Sequence, residues 1–173
     1  LMDKYSINAE RIYSTGMSNG GFFSFHLACN LSASFAAVAS VTGSMTYETF
    51  ENCNPRKPTP VMQIHGSLDA TVPYKGLDAL NMKPIMDVME YWKVSNGCDD
   101  YILSLPGILP GTSSWTETYE YNNCLNNTQN VHLYVQGAGH IWPGSRYSSI
   151  ASPDSSSRIW GFFSTYDING VIQ

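Results

Sequence analysis

The stretch "RIYSTGMSNGGFF", residues 11–23, constrains the chain more than any other. Arg11 to Gly16 reads as a short strand and Asn19 to Leu31 as a helix, with only Met17 and Ser18 between them. A strand that becomes a helix in so few residues needs small side chains where the backbone folds on itself. Gly16 and Gly20, two positions either side of Ser18, supply them. The bare pattern Gly-x-Ser-x-Gly is weak evidence, and a plain glycine-rich loop would also contain it. The strand before it and the helix after it make it read as a nucleophile elbow, a turn that holds a serine hydroxyl over the end of a sheet.

The rest of the chain repeats the alternation. Residues 35–45 read as a strand ending at Gly43, 59–69 as a buried strand, 83–95 as a helix ending at Asn96-Gly97, and 115–121 as an alternating, exposed strand. Residues 131–140 read as a strand breaking at glycine, and 153–166 as a final helix started by Pro153 and Asp154. Loops rich in Pro, Gly and Ser occupy 105–114 and 143–153. Strands alternating with helices predict an α/β fold, a mainly parallel sheet flanked by helices, in one domain over residues 1–173. In such sheets the chemistry gathers at the carboxyl ends of the strands.

A serine hydroxyl is a poor nucleophile without a base, and the base needs an acid to orient it. Of the histidines, His26 falls on the apolar face of the first helix and reads as a packed core residue. His132 lies within a strand. His65, before Gly66, reads as a hydrogen-bonded structural residue. His140 follows "QGAG" in a glycine-lined loop after the last strand, where an exposed base is needed. Asp69, three residues past Gly66, is the acid that follows a strand; Asp78, Asp87, Asp99 and Asp100 fall in helical or surface stretches. The chain order Ser18, Asp69, His140 is that of α/β-hydrolases, not of the chymotrypsin or subtilisin types.

Net charge is −5 with no run of Lys or Arg, which argues against a nucleic-acid or anionic-membrane partner. No apolar stretch approaches the roughly 20 residues that span a bilayer. The four cysteines, Cys29, Cys53, Cys98 and Cys124, form no C-x-x-C pair and no cluster with histidine, so a metal site is not expected. Their even number, with the low charge, suggests two disulfides and an oxidising compartment, secreted or periplasmic. Spacing alone leaves three pairings open. Export would require a leader upstream of Leu1. Asn30-Leu31-Ser32 and Asn126-Asn127-Thr128 are glycan acceptors only in a eukaryote.

"RIYSTGMSNGG", "IHGSLDATVPYKG" and "GAGHIWPG" together resemble the secreted polyhydroxybutyrate depolymerase and feruloyl/acetylxylan esterase group of the α/β-hydrolases. The likeness runs over most of residues 5–145. It implies Ser18 as nucleophile, Asp69 as orienting acid and His140 as base, with an ester substrate of polyhydroxyalkanoate, feruloyl or acetyl-sugar type and no metal or organic cofactor. It also favours the sequential pairs Cys29–Cys53 and Cys98–Cys124 and suggests Trp142 as a wall of the acyl pocket; a packed loop anchor is the other reading of Trp142. In that group about a hundred residues precede the nucleophile strand and bring one oxyanion donor. Here only "LMDKYSINAE" precedes it. The resemblance therefore implies the C-terminal portion of a longer hydrolase, missing N-terminal strands. The Asn19 N–H is then the one identified oxyanion donor, and loss of its companion, at about 10²–10³ in rate, leads us to expect weak activity. The edge near residues 11–15 is expected to promote self-association. A non-catalytic descendant and a serine peptidase are the rival functions.

Overall fold

The computed structural model describes residues 2, 4–105, 115–146 and 153–172. Most of the loops expected at 105–114 and 143–153 lies outside them. The elements run β1 (Tyr13–Met17), α1 (Asn19–Leu31), β2 (Ala37–Val41), α2 (Tyr47–Glu51), β3 (Val61–Gly66) and α3 (Ile85–Asn96). Then follow β4 (Tyr101–Ser104), β5 (Thr116–Tyr121), β6 (Asn130–Val135), α4 (Ser155–Phe163) and the short β7 (Tyr166–Asp167) and β8 (Gly170–Val171).

The main sheet has the order β1-β2-β3-β6-β5-β4. β1, β2, β3 and β6 are parallel; β5 and β4 run antiparallel at the far edge. This is the mainly parallel, helix-flanked sheet that the alternation of strands and helices predicts. The sequence pattern did not reveal β4, whose residues are all exposed. Pairing with β4 on one side and β6 on the other makes β5 half-buried along most of its length, not the exposed strand its alternation suggested.

Side chains alternate across each strand, and the two faces differ in chemistry. Met62 and Ile64 of β3 and Val131, Leu133 and Val135 of β6 pack against Ile159, Phe162 and Phe163 of α4. On the opposite face Val38 and Val61 meet Phe25 and Ala28 of α1 and Val88 and Trp92 of α3. That second face also buries Gln63, His65 and His132 completely. α1 buries Gly21, Ser24, Phe25, Ala28 and Cys29 and turns His26 and Phe23 outward. His26 is thus a surface residue, not the core residue its neighbours implied: the buried stripe follows Phe25, Ala28 and Cys29, and His26 sits one step off it.

Both disulfides are sequential. Cys29–Cys53 ties α1 to the segment after α2, and Cys98–Cys124 ties the end of α3 to the turn after β5. Among the described residues no helix is long and apolar enough to cross a membrane.

Candidate active site

Ser18 follows β1, Asp69 follows β3 and His140 follows β6, all at the carboxyl ends of parallel strands. Ser18 has φ 55° and ψ −120°, a conformation costly for a residue with a Cβ. It is held there from both sides. Its N–H donates to the Val41 carbonyl at 2.9 Å, and its own carbonyl accepts the Gly21 and Phe22 N–H groups at 2.8 and 3.0 Å. Ser18 is also the N-cap of α1, where a serine hydroxyl ordinarily accepts from the first turn. Here no such cap bond forms, so the hydroxyl is not consumed by the helix.

The glycine at position 16 has a steric cause: a Cβ there would lie 2.7 Å from Gly20 Cα. Gly21 has one as well, since a Cβ on it would lie 3.0 Å from Gly43 Cα. The collision expected at Gly20 itself is absent, because nothing lies within 4 Å of a Cβ built there. The close approach is made by Gly16 onto the Gly20 backbone, and a side chain at position 20 would point away from it. A second strained residue adjoins the elbow. Thr42, just past β2, has φ 50° and is buried, with its Oγ1 unbonded, as is the Oγ of nearby Ser40. Nothing in the sequence pattern marked either residue.

Asp69 and His140 meet directly. His140 Nδ1 lies 2.9 Å from Asp69 Oδ2 and 3.1 Å from Oδ1. Asp69 is buried, whereas His140 is half-buried and open to the outside. Asp69 Oδ1 also accepts the N–H of Thr71 at 2.9 Å and of Val72 at 2.8 Å, so the carboxylate is fastened by its own turn. The Asp69 and His140 loops are stitched together by Leu68 N–H to Ala138 O at 2.8 Å and Gly137 N–H to Ser67 Oγ at 2.8 Å. A carboxylate against Nδ1 fixes the tautomer with its proton on Nδ1 and a free lone pair on Nε2. The Ser18 hydroxyl is not hydrogen-bonded to His140 in this structure.

The Asn19 N–H opens α1 and has no acceptor among the described residues. No second donor aimed at the same point was identifiable in the sequence. Trp142 is half-buried, packs against the core beneath α4 and donates its indole N–H to Ser156 Oγ at 3.1 Å. An open groove of about 360 Å³ flanks the acid loop, lined by Leu68, Pro73, Tyr74, Lys75 and Tyr134 among others.

Beneath the site lies a polar layer that sequence reasoning did not resolve. His132 Nδ1 faces the Gln63 carbonyl at 3.2 Å, and its Nε2 lies 2.8 Å from the Tyr74 hydroxyl. A carbonyl can only accept, so His132 donates from Nδ1 and accepts from Tyr74. Burial pushes the His132 pKa down to about 3, which keeps it neutral. The available signal was parity: in "VMQIHG" Gln63 and His65 share one face of a strand otherwise read as apolar throughout.

A strained serine turn and a hydrogen-bonded Asp–His pair thus stand at one end of a parallel sheet. Residues 2–90 match the phospholipase/carboxylesterase family, and the chain belongs to it. It is similar to a bifunctional acetylxylan esterase/xylanase of Neocallimastix patriciarum, 23% identical over 173 residues, covering 100% of this chain and 23% of that protein. Feruloyl esterase D of Neurospora crassa is 26% identical over 168 residues, covering 96% of this chain and 52% of its own length. The chain thus spans about half or less of these relatives. An acetyl xylan esterase structure from Aspergillus awamori superposes with a TM-score of 0.58 at 17% identity, covering 93% of this chain and 63% of that one; this likeness concerns the fold.

Proposed function

We propose that the chain carries the catalytic serine, histidine and aspartate of a serine esterase that hydrolyses carboxylic esters through an acyl-enzyme. The observation that carries this reading is the bidentate contact of Asp69 with His140 Nδ1, on the same end of the sheet as an elbow serine whose hydroxyl is unspent. His140 Nε2 takes the Ser18 proton as Oγ bonds to the ester carbonyl carbon. The oxyanion develops against the Asn19 N–H, and Asp69 stabilises the imidazolium. His140 then protonates the departing alkoxide, and the alcohol leaves. Water attacks the acyl-serine with His140 as base, releasing the acid and restoring the Ser18 hydroxyl. The Ser18–His140 hydrogen bond must form for this, and catalytic contacts of that kind tighten when substrate binds.

The relatives named for acetylxylan and feruloyl esters support acetyl-sugar or feruloyl esters as substrates, with polyhydroxyalkanoate as a further ester of the same chemistry. Two disulfides support an exported protein.

A second reading is favoured by the missing Ser18–His140 bond: a weakly active or non-catalytic descendant. Intact mass after exposure to a fluorophosphonate separates the two. A stoichiometric adduct on the wild type and none on Ser18→Ala supports the esterase; no adduct on either makes the second reading the better one.

A further inference from the structure

His65 lies against the triad acid without belonging to the triad. It is fully buried, with Nδ1 2.8 Å from Gln63 Nε2 and Nε2 2.8 Å from the Val72 carbonyl. Gln63 Nε2 also reaches the Gly43 carbonyl at 2.9 Å. The two ends of this chain are carbonyls, which can only accept, so one direction of donation is possible. The Gln63 amide donates to Gly43 O and to His65 Nδ1, and His65 donates its one proton from Nε2 to Val72 O. Asp69 Oδ2 is 3.5 Å from the same Nε2, too far for more than an oblique contact.

We propose that His65 is a positioning residue for the Asp69–His140 pair, acting through the Val72 backbone, whose C=O and N–H lie in adjacent peptide units joined at its Cα. The Val72 carbonyl is held by His65, and the N–H of the same residue is held by Asp69 Oδ1 at 2.8 Å. Anchoring the turn at Val72 fixes where its N–H points, which fixes the rotation of the carboxylate, which aims His140. The other end of the chain reaches the nucleophile side. Gly43 packs against the helix behind the elbow so tightly that a Cβ on it would sit 2.8 Å from Gly21 Cα. The buried Gln63–His65 pair therefore spans the gap between the elbow's support and the acid turn. Burial also lowers the His65 pKa, so the ring is neutral and leaves the Asp69 charge to the His140 imidazolium.

Amide isosteres test this. Asn places its polar atoms near the Nδ1 position and keeps the partner of Gln63, but leaves Val72 O without a donor. Gln reaches the Nε2 position and keeps that donor. The kinetic consequence rests on the esterase reading above; the positional one does not. In His65→Asn, kcat on a p-nitrophenyl ester should fall by about 10²-fold with KM little changed, the size of a small misplacement of catalytic groups. The downfield proton resonance of His140 Nδ1–H, seen with 15N-histidine labelling, should move upfield or broaden away. His65→Gln should recover most of both. A residue that merely filled the core would lose activity in step with melting temperature in both variants, without this ordering. Two folded variants with the wild-type resonance would overturn the proposal. Should His65→Asn fail to fold, Gln63→Met removes the donor that fixes the His65 tautomer, and an unchanged His140 resonance there would overturn it equally. A wild type without ester hydrolysis counts against the esterase reading alone, because the resonance still reports what His65 does to the pair.

Discussion

Asp69→Asn isolates the most ordered contact of the site. Oδ1 of Asp69 accepts two backbone N–H groups, from Thr71 and Val72 at 2.9 and 2.8 Å. An asparagine must keep its carbonyl oxygen there, because its amide nitrogen would face two donors with a third. The NH₂ is then forced into the Oδ2 position, now 2.9 Å from His140 Nδ1. A donor at that point obliges Nδ1 to accept, which moves the imidazole proton to Nε2 and removes the lone pair that should take the Ser18 proton. A triad with its histidine in the wrong tautomer loses about 10⁴ in kcat. At 1.36 kcal/mol per decade that is about 5.4 kcal/mol of transition-state stabilisation. The fold should survive, since shape and backbone hydrogen bonds are kept. The assay is steady-state hydrolysis of a p-nitrophenyl ester, paired with a thermal melt. A folded variant whose kcat stays within about tenfold of wild type would refute the assignment of Asp69 as the orienting acid.

Acid should destabilise the protein through its buried imidazoles. His132 is held down at about 3, below the roughly 6.5 of an unfolded chain, so the unfolded state binds the extra proton. Stability from this group is complete above about 6.5 and falls by about 1.4 kcal/mol per pH unit from there toward about 3; the lowered pKa of His65 acts in the same direction. A melting temperature flat between about pH 7 and about pH 4 would contradict this. Each disulfide closes a loop, with sequence separations of 24 and 26, and removing either by paired Cys→Ala substitution should cost about 3–4 kcal/mol in a chemical melt. A loss under about 1 kcal/mol would mean that the native packing holds those segments unaided. β1 is an edge strand that pairs only with β2 among the described residues, so the 173-residue chain by itself should self-associate. Sedimentation showing a monomer at all concentrations would rule that out.

The sequence by itself determined whatever depends on residues close in the chain. The elbow follows from Gly16 and Ser18 between a strand and a helix, and α1 spans Asn19 to Leu31 as its pattern indicates. The placement of Asp69 and His140 at one end of the sheet was legible because each follows a strand that breaks at glycine, and parallel strands carry such loops to one end. The disulfide pairing came from resemblance alone, as four cysteines do not state their partners. Tertiary structure decided the rest. His26 lies outside because what packs on α1, not the letters beside His26, selects the buried stripe. β5 is half-buried because β4, a strand without a clear pattern, pairs along it. The layer of Gln63, His65, His132 and Tyr74 is built from hydrogen bonds between residues up to 69 positions apart. Such bonds depend on which strands become neighbours, and no local pattern encodes that; the sheet order β3-β6 brings Gln63 to His132, and with it the polar floor on which the Asp69–His140 pair rests.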